Sequence, residues 1–152
     1  MRTTVAIALG SNIGDRRAHL DFAAGRLRLL LDDLHVSAYY ETEPVEVPDL
    51  QPRFLNAAAV GRTTASAREL LDSLLNIERA RGRERPHPQA ARTLDLDLVL
   101  FGSVVIDEPG LVVPHPRFRA RRFVLEPLAA IAPDLVDPGT GKTVAALLGS
   151  LR

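Results

Sequence analysis

Two aspartates two positions apart, Asp95 and Asp97, form the pattern in this chain that is best suited to chemistry. They lie in a run from Arg92 to Phe101 that alternates polar and apolar residues, and this period of two predicts a half-buried β-strand. On a strand the two carboxylates share one face, about 6.6 Å apart at the backbone. Four leucines are expected on the opposite face: Leu94, Leu96, Leu98 and Leu100. Like charges this close repel unless a cation or a shared proton lies between them, and magnesium is commonly bound by one or two carboxylates together with substrate phosphates.

Arginines stand near this strand in positions that suit phosphate binding. Arg83 and Arg85 follow a predicted helix, and Arg92 directly precedes the acidic strand. A guanidinium binds phosphate bidentately and stays charged at any working pH. Further along, Pro114-His115-Pro116 holds a histidine in an extended loop that four arginines follow. A solvated basic loop and an exposed acidic strand face remain open as alternative interpretations.

Length and composition limit the classes of protein to consider. The 152 residues carry no formal net charge, and 46% of them are hydrophobic and 25% charged, which is typical of a single globular domain over 1–152. The lack of cysteine excludes disulfides and thiolate chemistry and favours a reducing cytoplasm. No segment approaches 18 consecutive apolar residues, so no membrane span is expected. Zero net charge, with five phenylalanines and two tyrosines that do not interleave with the arginines, argues against nucleic-acid binding.

The elements that must position these residues follow from hydrophobic periodicity and turn residues. The sequence predicts strands over 3–9, 35–42, 54–62 and 92–101, and helices over 16–31 and 66–81. The order β-α-β-β-α-β predicts an α+β fold with a ferredoxin-like core, in which helices pack on an antiparallel sheet. The expected C-terminal extension contains a short hairpin, whose strand over 104–106 pairs back after a turn, and helices near 123–131 and 143–151.

A partial nucleotide-binding motif near the end of the chain is interpreted as a turn. Gly139-Thr140-Gly141-Lys142-Thr143 is similar to the end of a Walker A loop. That motif needs an earlier glycine at position 136, where this chain has Val136. The segment is therefore expected to bind no phosphate.

Six short motifs follow one another along the chain. They are Ala8-Leu9-Gly10-Ser11-Asn12-Ile13-Gly14-Asp15, Tyr40-Glu41-Thr42-Glu43-Pro44, Gln51-Pro52-Arg53-Phe54-Leu55-Asn56, Ile77-Glu78 with Gly82-Arg83-Glu84-Arg85, Arg92-Thr93-Leu94-Asp95-Leu96-Asp97, and Pro114-His115-Pro116 with Arg121 and Phe123. In this order they resemble the 6-hydroxymethyl-7,8-dihydropterin pyrophosphokinase family over nearly the full length. The segment Pro88-Gln89-Ala90-Ala91 departs from the family pattern, because many relatives carry an aromatic residue followed by a Gly-Pro or similar pair just before the arginine of the acidic strand.

The resemblance implies an enzyme of folate biosynthesis that transfers the β,γ-diphosphate of ATP to the hydroxymethyl group of the pterin and releases AMP. It implies two Mg²⁺ ions at Asp95 and Asp97, and catalytic roles for these residues and for Arg83 and Arg92. The ATP-binding residues that it implies are Glu78, Arg83, Arg85, Arg92, Leu98, His115 and Arg121. The pterin would stack between Phe54 and Phe123, with further contacts from Thr42, Pro44, Val45 and Asn56.

Two other classes of protein compete with this hypothesis. One is a non-catalytic ferredoxin-like module that binds a nucleotide for regulation, and the other is an RNA-binding domain that uses the arginine clusters. A regulatory module has no need of two carboxylates on one strand face, and an RNA-binding domain is more often net basic, with exposed aromatic residues on its sheet. The enzyme is expected to be a cytoplasmic monomer that binds small molecules, with neither a nucleic acid nor a membrane as partner.

Overall fold

Strands and helices alternate along the chain in the computed structural model, which describes residues 2–42, 53–82 and 93–151. The strands are β1 (Thr3–Ser11), β2 (Asp32–Val36), β3 (Tyr40–Thr42), β4 (Phe54–Thr63), β5 (Asp95–Phe101), β6 (Ile106–Glu108) and β7 (Leu111–Val113). The helices are α1 (Arg16–Leu30), α2 (Ala67–Ala80), α3 (Arg122–Ile131) and α4 (Val144–Gly149), and a short 3₁₀ helix (Phe118–Ala120) precedes α3. Helices packed on an antiparallel sheet confirm the α+β class. In the described ranges, no helix has the length and apolar character needed to cross a membrane.

The central strand of the main sheet is β1. The strand order is β2-β4-β1-β5, and β3 pairs with the start of β4. Antiparallel pairing joins β1 to β4 from Thr3↔Thr63 to Ser11↔Leu55, and to β5 from Val5↔Phe101 to Gly10↔Asp95. The nearly continuous apolar run of β1 is explained by this central place, because a central strand is buried on both faces.

Different helices cover the two faces of the sheet. On the α1/α2 face, the helices contribute apolar residues at helical spacing, among them Leu20, Ala23 and Leu27 of α1 and Leu70, Leu74 and Ile77 of α2. On the α3/α4 face, the core contains Phe118, Val124, Leu125, Leu128, Val144 and Leu147. Each fully buried side chain of this size stabilises the fold by about 1.5–3 kcal/mol. The two clusters therefore hold the sheet rigidly between two layers.

Side-chain caps set the beginnings of α1 and α2. The Ala18 N–H donates to the Asp15 carboxylate at 3.1 Å, so α1 begins directly after Asp15. At α2, Ser66 and Glu69 form a reciprocal capping box. Both helices lie where periodicity predicts them, with Ser66 as the cap of α2 rather than its first residue.

The predicted second strand over 35–42 is wrong as a single element, because an extra residue interrupts its pairing with β4. Val36 lies opposite Ala59 and Tyr40 opposite Asn56, so four steps on one strand match three on the other. At the interruption, the Ser37 N–H donates to the Ala58 carbonyl at 2.8 Å, and the Ser37 hydroxyl accepts from the Ala58 N–H at 2.9 Å. A one-residue bulge reverses the faces of all residues beyond it.

A second bulge corrects the predicted leucine face of the acidic strand. Ala6 lies opposite Leu100 and Ile7 opposite Leu98, which leaves Val99 as the extra residue of β5. The side chains of Leu94, Leu96 and Leu98 pack on the α1/α2 face as predicted. Leu100 packs instead in the α3/α4 cluster, because it follows the bulge. The strand also begins at Asp95 rather than at 92.

The C-terminal extension contains a hairpin, but its strands differ from the predicted ones. The predicted strand over 104–106 does not pair back on β5; instead β6 pairs with β7 through a turn at Gly110, whose φ of 77° suits glycine. The helices α3 and α4 lie where the sequence predicts helices. The hairpin leads directly into His115, whose N–H donates to the Val99 carbonyl of β5 at 2.9 Å.

The partial Walker motif forms a turn around a buried aspartate. Arg119 donates to both carboxylate oxygens of Asp137, at 2.5 and 2.8 Å, while the Gly139 N–H and the Thr140 hydroxyl donate to the same carboxylate. The Arg119 hydrogen bonds are the main reason that the pKa of Asp137 falls to about 2. Gly139 and Thr140 thus bind an internal carboxylate, as expected for a structural turn.

Candidate functional site

A row of residues crosses the α3/α4 face of the sheet at one level. Asp95 on β5 lies opposite Gly10 on β1, Gly10 opposite Asn56 on β4, and Asn56 opposite Tyr40 on β3. Neighbouring strands are about 4.8 Å apart, so about 10 Å of backbone separates Asp95 from Asn56. Because Gly10 has no side chain, side chains of the neighbouring strand approach the backbone of β1 closely at this point. We call the strip of sheet over Gly10 the Gly10 trough.

The side chains of Asn56 and Phe54 lie close to the backbone of Gly10. A Cβ atom added at Gly10 would lie 3.3 Å from Asn56 Oδ1 and 3.7 Å from Phe54 Cδ1. The backbone of Gly10 is ordinary extended strand, so its lack of a side chain matters for space rather than for conformation. The residue types of Gly10-Ser11-Asn12-Ile13-Gly14-Asp15 favour a turn, but Gly10 and Ser11 belong to β1. Gly10 is therefore a candidate site residue that turn patterns do not identify and that only the sheet register reveals.

Asp95 and Asp97 lie on the same face of β5, as the alternation predicts. Both are partly exposed, and Asp97 lies opposite the small residue Ala8. Within the described residues, no group of three or more His, Cys, Asp or Glu side chains is arranged to hold a metal ion. A pair of neighbouring carboxylates matches the donor set of Mg²⁺, which is commonly held by one or two carboxylates and completes its shell with substrate phosphates and water. The chemistry of the residues present thus fits magnesium.

A buried glutamate fixes the acidic strand in place. Glu78, near the end of α2, is 2% exposed, and its Oε2 accepts a hydrogen bond from the Leu96 N–H at 2.7 Å. Loss of such a buried hydrogen bond leaves an unsatisfied backbone N–H, which costs about 1–3 kcal/mol. Since Leu96 lies between the two aspartates, Glu78 holds the backbone of the acid pair against α2. Its assignment to ATP stays a prediction.

Leu98 occupies the opposite side of the strand from the acids. Its side chain is 5% exposed and packs among the α1/α2 residues. Successive side chains alternate across a strand, so this side chain cannot share the face of Asp97. The predicted ATP contact of Leu98 would therefore involve its backbone.

His115 and Arg121 lie near Asp95, and Arg121 supplies the positive charge on this side of the site. The Arg117 N–H donates to His115 Nδ1 at 3.1 Å, which leaves the proton of the neutral ring on Nε2. Burial lowers the pKa of His115, the nearby guanidinium of Arg121 lowers it further, and Asp95 opposes the shift. The imidazole is therefore neutral at pH 7 and offers an Nε2–H donor, while Arg121 keeps its charge.

An aromatic-lined cleft of about 300 Å³ lies at the β3 end of the row. Its lining residues are Tyr40, Glu41, Thr42, Arg122, Phe123, Glu126 and Pro127. Asn56 Nδ2 donates to Thr42 Oγ1 at 2.5 Å, and Thr42 pairs with Phe54 across the strands. The bulge at Ser37 causes this arrangement, because without it Thr42 would point to the α1/α2 face. The structure thus brings together Thr42, Phe54 and Asn56. Phe123 lines the same cleft as Thr42.

Several predicted site residues lie outside the described residues. They are Pro44, Val45, Arg83, Arg85 and Arg92, and the atypical segment Pro88-Gln89-Ala90-Ala91 is outside as well. Their roles stay predictions based on the family resemblance.

A histidine outside the predicted site links α1 to the end of α2. Arg81 Nε donates to His19 Nδ1 at 2.9 Å, and the Arg81 guanidinium lies 4.8 Å from the centre of the Phe22 ring. Burial lowers the pKa of His19, Arg81 lowers it further, and Asp15 and a backbone hydrogen bond at Ile13 oppose the shift. Protonation of His19 would remove the acceptor that holds Arg81.

The lowered pKa of His19 predicts a pH-dependent stability. The unfolded chain, with a histidine pKa near 6.5, binds more protons than the folded chain as the pH falls through that value. The free energy of unfolding should therefore be highest above pH 6.5 and decrease as the pH falls below it. Urea denaturation at about pH 7.5 and about pH 5.5 should show a smaller decrease for His19→Asn than for the wild type. Equal decreases in the two proteins would contradict the assignment.

The fold and the site together define a class of protein. A mixed α/β fold that places two carboxylates, a neutral histidine and an arginine beside an aromatic-lined cleft is suited to an enzyme acting on a phosphorylated substrate and a planar one. Comparisons with known proteins identify the family within this class.

A family model described as 7,8-dihydro-6-hydroxymethylpterin-pyrophosphokinase (HPPK) matches residues 6–133. A 2-amino-4-hydroxy-6-hydroxymethyldihydropteridine pyrophosphokinase of Pseudomonas aeruginosa is 43% identical over 136 residues, which cover 88% of this chain and 83% of the relative. A Synechocystis protein of the same name is 40% identical over 144 residues, which cover 93% of this chain and 73% of the relative. The chain belongs to the HPPK family of pyrophosphokinase enzymes.

Solved structures share the fold. An HPPK-DHPS chain crystallised with substrates is similar with a TM-score of 0.80 at 13% identity, over 98% of this chain and 43% of that one. Wild-type Plasmodium falciparum HPPK-DHPS with pteroate is similar with a TM-score of 0.79 at 13% identity, over 98% of this chain and 44% of that one. The present chain thus spans less than half the length of these HPPK-DHPS chains, and at this identity the likeness establishes the fold alone.

Proposed function

We propose that this protein transfers the β,γ-diphosphate of ATP to the hydroxymethyl group of 6-hydroxymethyl-7,8-dihydropterin in folate biosynthesis. In this reaction a bond forms between the pterin hydroxyl oxygen and the β-phosphorus, the bond between that phosphorus and the α,β-bridging oxygen breaks, and AMP leaves. The observation that carries the proposal is the row Asp95-Gly10-Asn56, which puts an acidic site and an amide on one face within about 10 Å. The names of the two bacterial relatives support the pterin as substrate.

The cleft end of the row suits a pterin. A flat heteroaromatic ring needs apolar surface on its faces and hydrogen-bonding groups in its plane. Phe54 and Phe123 would supply the faces. Because Asn56 Nδ2 donates to Thr42, its Oδ1 is directed toward the Gly10 trough and would accept an N–H of the pterin. Pro44 and Val45 would complete the polar contacts of the ring.

The acidic end of the row suits the triphosphate. Two Mg²⁺ ions bound at Asp95 and Asp97 would neutralise phosphate charge and orient the reacting oxygens. The neutral His115 would donate its Nε2–H to a phosphate oxygen, and Arg121 would add a permanent positive charge. Arg83, Arg85 and Arg92 would bind the remaining phosphate oxygens. Phosphoryl-type transfer depends mainly on positioning and charge stabilisation, and Glu78 supports both by fixing the strand that carries the acids.

We also propose that the core is ferredoxin-like. The antiparallel order β5-β1-β4-β2, with α1 and α2 on one face, supports this classification. The expected monomeric state and cytoplasmic location stay predictions, which size-exclusion chromatography and cell fractionation would test.

Filling the Gly10 trough should weaken pterin binding. In Gly10→Val the added Cβ would lie 3.3 Å from Asn56 Oδ1 and 3.7 Å from Phe54 Cδ1, so the side chain would displace Asn56 or Phe54. We expect at least about a tenfold loss of pterin affinity, with a smaller loss in Gly10→Ala, because displaced polar groups cost about 1–3 kcal/mol. Calorimetric titration of the pterin measures the affinities, and thermal unfolding checks the fold. Wild-type affinity in Gly10→Val would show that the pterin lies elsewhere.

The identity of the nucleotide product tests the proposed function. ATP and Mg²⁺ are incubated with the protein, with and without 6-hydroxymethyl-7,8-dihydropterin, and the nucleotides are separated by chromatography. We expect AMP only when the pterin is present. A phosphoryl transfer of one phosphate would release ADP, and a regulatory nucleotide-binding module would release neither. Either result would overturn the proposal.

A further inference from the structure

The predicted pterin-binding end of β3 and β4 depends on a short ladder. Within the described residues the two strands pair at three positions, Tyr40↔Asn56, Glu41↔Leu55 and Thr42↔Phe54. The outermost described pair consists of Thr42 and Phe54, both of which are predicted to contact the pterin. The spacing of the two strands at this pair therefore sets the geometry of the predicted pterin site. A side chain that bridges the strands beside this pair would support that geometry.

An arginine from α1 bridges the two strands at this end. Arg16 Nη1 donates to the Arg53 carbonyl at 2.7 Å, and Nη2 donates to Glu41 Oε2 at 3.3 Å. The other carboxylate oxygen of Glu41 lies 3.6 Å from Arg53 Nη1. We call Arg16, Glu41 and Arg53 the strand-end clamp. Arg53 directly precedes Phe54 and Glu41 directly precedes Thr42, so the clamp acts next to the outermost pair.

The helix holds Arg16 in a fixed position. Arg16 is the first residue of α1, directly after the Asp15 cap, and the helix is anchored by the buried Leu20 and Leu27. The Arg16 side chain is 28% exposed, so most of it is enclosed by its neighbours. The planar guanidinium suits this role, because its separate N–H groups reach two acceptors at once. The clamp thus ties the end of the ladder to the core.

We propose that Arg16 is a positioning residue for pterin binding, which holds the Thr42–Phe54 end of the ladder closed through Glu41 and the Arg53 carbonyl. The inference rests on the proposed function and adds a residue to which the family resemblance gives no role. Arg16 lies on the α1 side of the strands, away from the acid pair, and acts on the pterin through the backbone of β3 and β4.

The kinetic test compares the KM values of the two substrates. Arg16→Ala should raise the KM for the pterin about three- to tenfold, with the KM for ATP and kcat changed less than about twofold. Arg16→Lys should recover only part of the loss, because an ammonium group does not reproduce the fork. The matched control is Arg28→Ala, which removes an exposed arginine from the last turn of the same helix and should leave all three parameters unchanged.

A double-mutant cycle tests whether Arg16 acts through Glu41. If it does, Arg16→Ala combined with Glu41→Gln should raise the pterin KM less than the product of the two single effects. Amide hydrogen exchange without substrates should show faster exchange in peptides that contain residues 40–42 and 53–56 for Arg16→Ala, and unchanged exchange in the peptides of β1. Strictly multiplicative effects or unchanged exchange would overturn the clamp.

The outcomes separate this inference from the proposed function. Wild-type activity with an unaltered pterin KM in Arg16→Ala would overturn the clamp alone. Equal increases in both KM values would show a general structural role and would also overturn it. A wild-type protein that forms no AMP in a pterin-dependent manner would overturn the proposed function itself.

Discussion

Replacement of Asp97 by asparagine is expected to lower the rate of AMP formation at least about a thousandfold, equivalent to about 4 kcal/mol of transition-state stabilisation. The substitution keeps the size of the side chain but removes the negative charge that Mg²⁺ binding requires. Asp97 is partly exposed on β5, and its replacement leaves the cores on both faces of the sheet intact. The measurement is the initial rate of AMP formation with saturating ATP, Mg²⁺ and pterin.

A matched control distinguishes loss of the metal site from a general effect of charge. Asp107→Asn makes the same chemical change at an exposed position of β6, outside the row of site residues. We expect wild-type rates for this variant, and cooperative thermal unfolding for both. If Asp97→Asn forms AMP at a rate within tenfold of the wild type, the acid pair is not required for catalysis.

The substitution Phe123→Ala is expected to weaken pterin binding about 10- to 100-fold and to change ATP binding less than about threefold. Stacking of a heteroaromatic ring on an aromatic side chain contributes about 1–3 kcal/mol by alanine substitution. Phe123 lines the cleft with Thr42 and is only partly buried, so it offers surface to a ligand. Calorimetric titration of each substrate measures the two affinities separately.

A leucine at the same position separates stacking from packing. Phe123 also packs against the α3/α4 cluster, and Phe123→Leu retains most of that apolar volume. The leucine variant should unfold close to the wild-type temperature and still lose much of the pterin affinity. If Phe123→Ala weakens ATP and pterin equally, or if the leucine variant binds pterin as the wild type does, the stacking assignment is wrong.

Local sequence patterns predicted much of the fold because they report directly on burial and on helix ends. The alternation around Asp95 and Asp97 predicted their shared face, since side chains on a strand must alternate. Helical spacing of apolar residues predicted a helix over 16–31, and α1 extends over Arg16–Leu30. These features depend only on residues a few positions apart in the sequence.

The two bulges could not be predicted in this way. Leu100 faces away from the other leucines because Val99 is an extra residue in the pairing with β1, and Thr42 reaches the site face because Ser37 bonds to Ala58. Each bulge is set by a partner strand far away in the sequence, and each reverses every face beyond it. The candidate site therefore depends on register, which periodicity within one strand does not contain.

Contacts between distant elements were also outside the reach of sequence patterns. The hydrogen bond from the Leu96 N–H to Glu78 and the bridge from Arg16 to Glu41 and Arg53 join residues that share no local pattern. The family resemblance identified Glu78 as a site residue but did not imply that it fixes the acidic strand. Similarly, Gly10 matters because of the residues that pairing places on either side of it.

The proposed mechanism depends most on metal binding by Asp95 and Asp97, and counting bound ions tests this role directly. Mn²⁺ can replace Mg²⁺ as a paramagnetic probe, and electron paramagnetic resonance reports the free ion during a titration with a non-hydrolysable ATP analogue present. We predict two protein-dependent Mn²⁺ ions per wild-type chain, and loss of at least one of them in Asp97→Asn. A full complement of ions in the variant, or no protein-dependent binding in the wild type, would contradict the account.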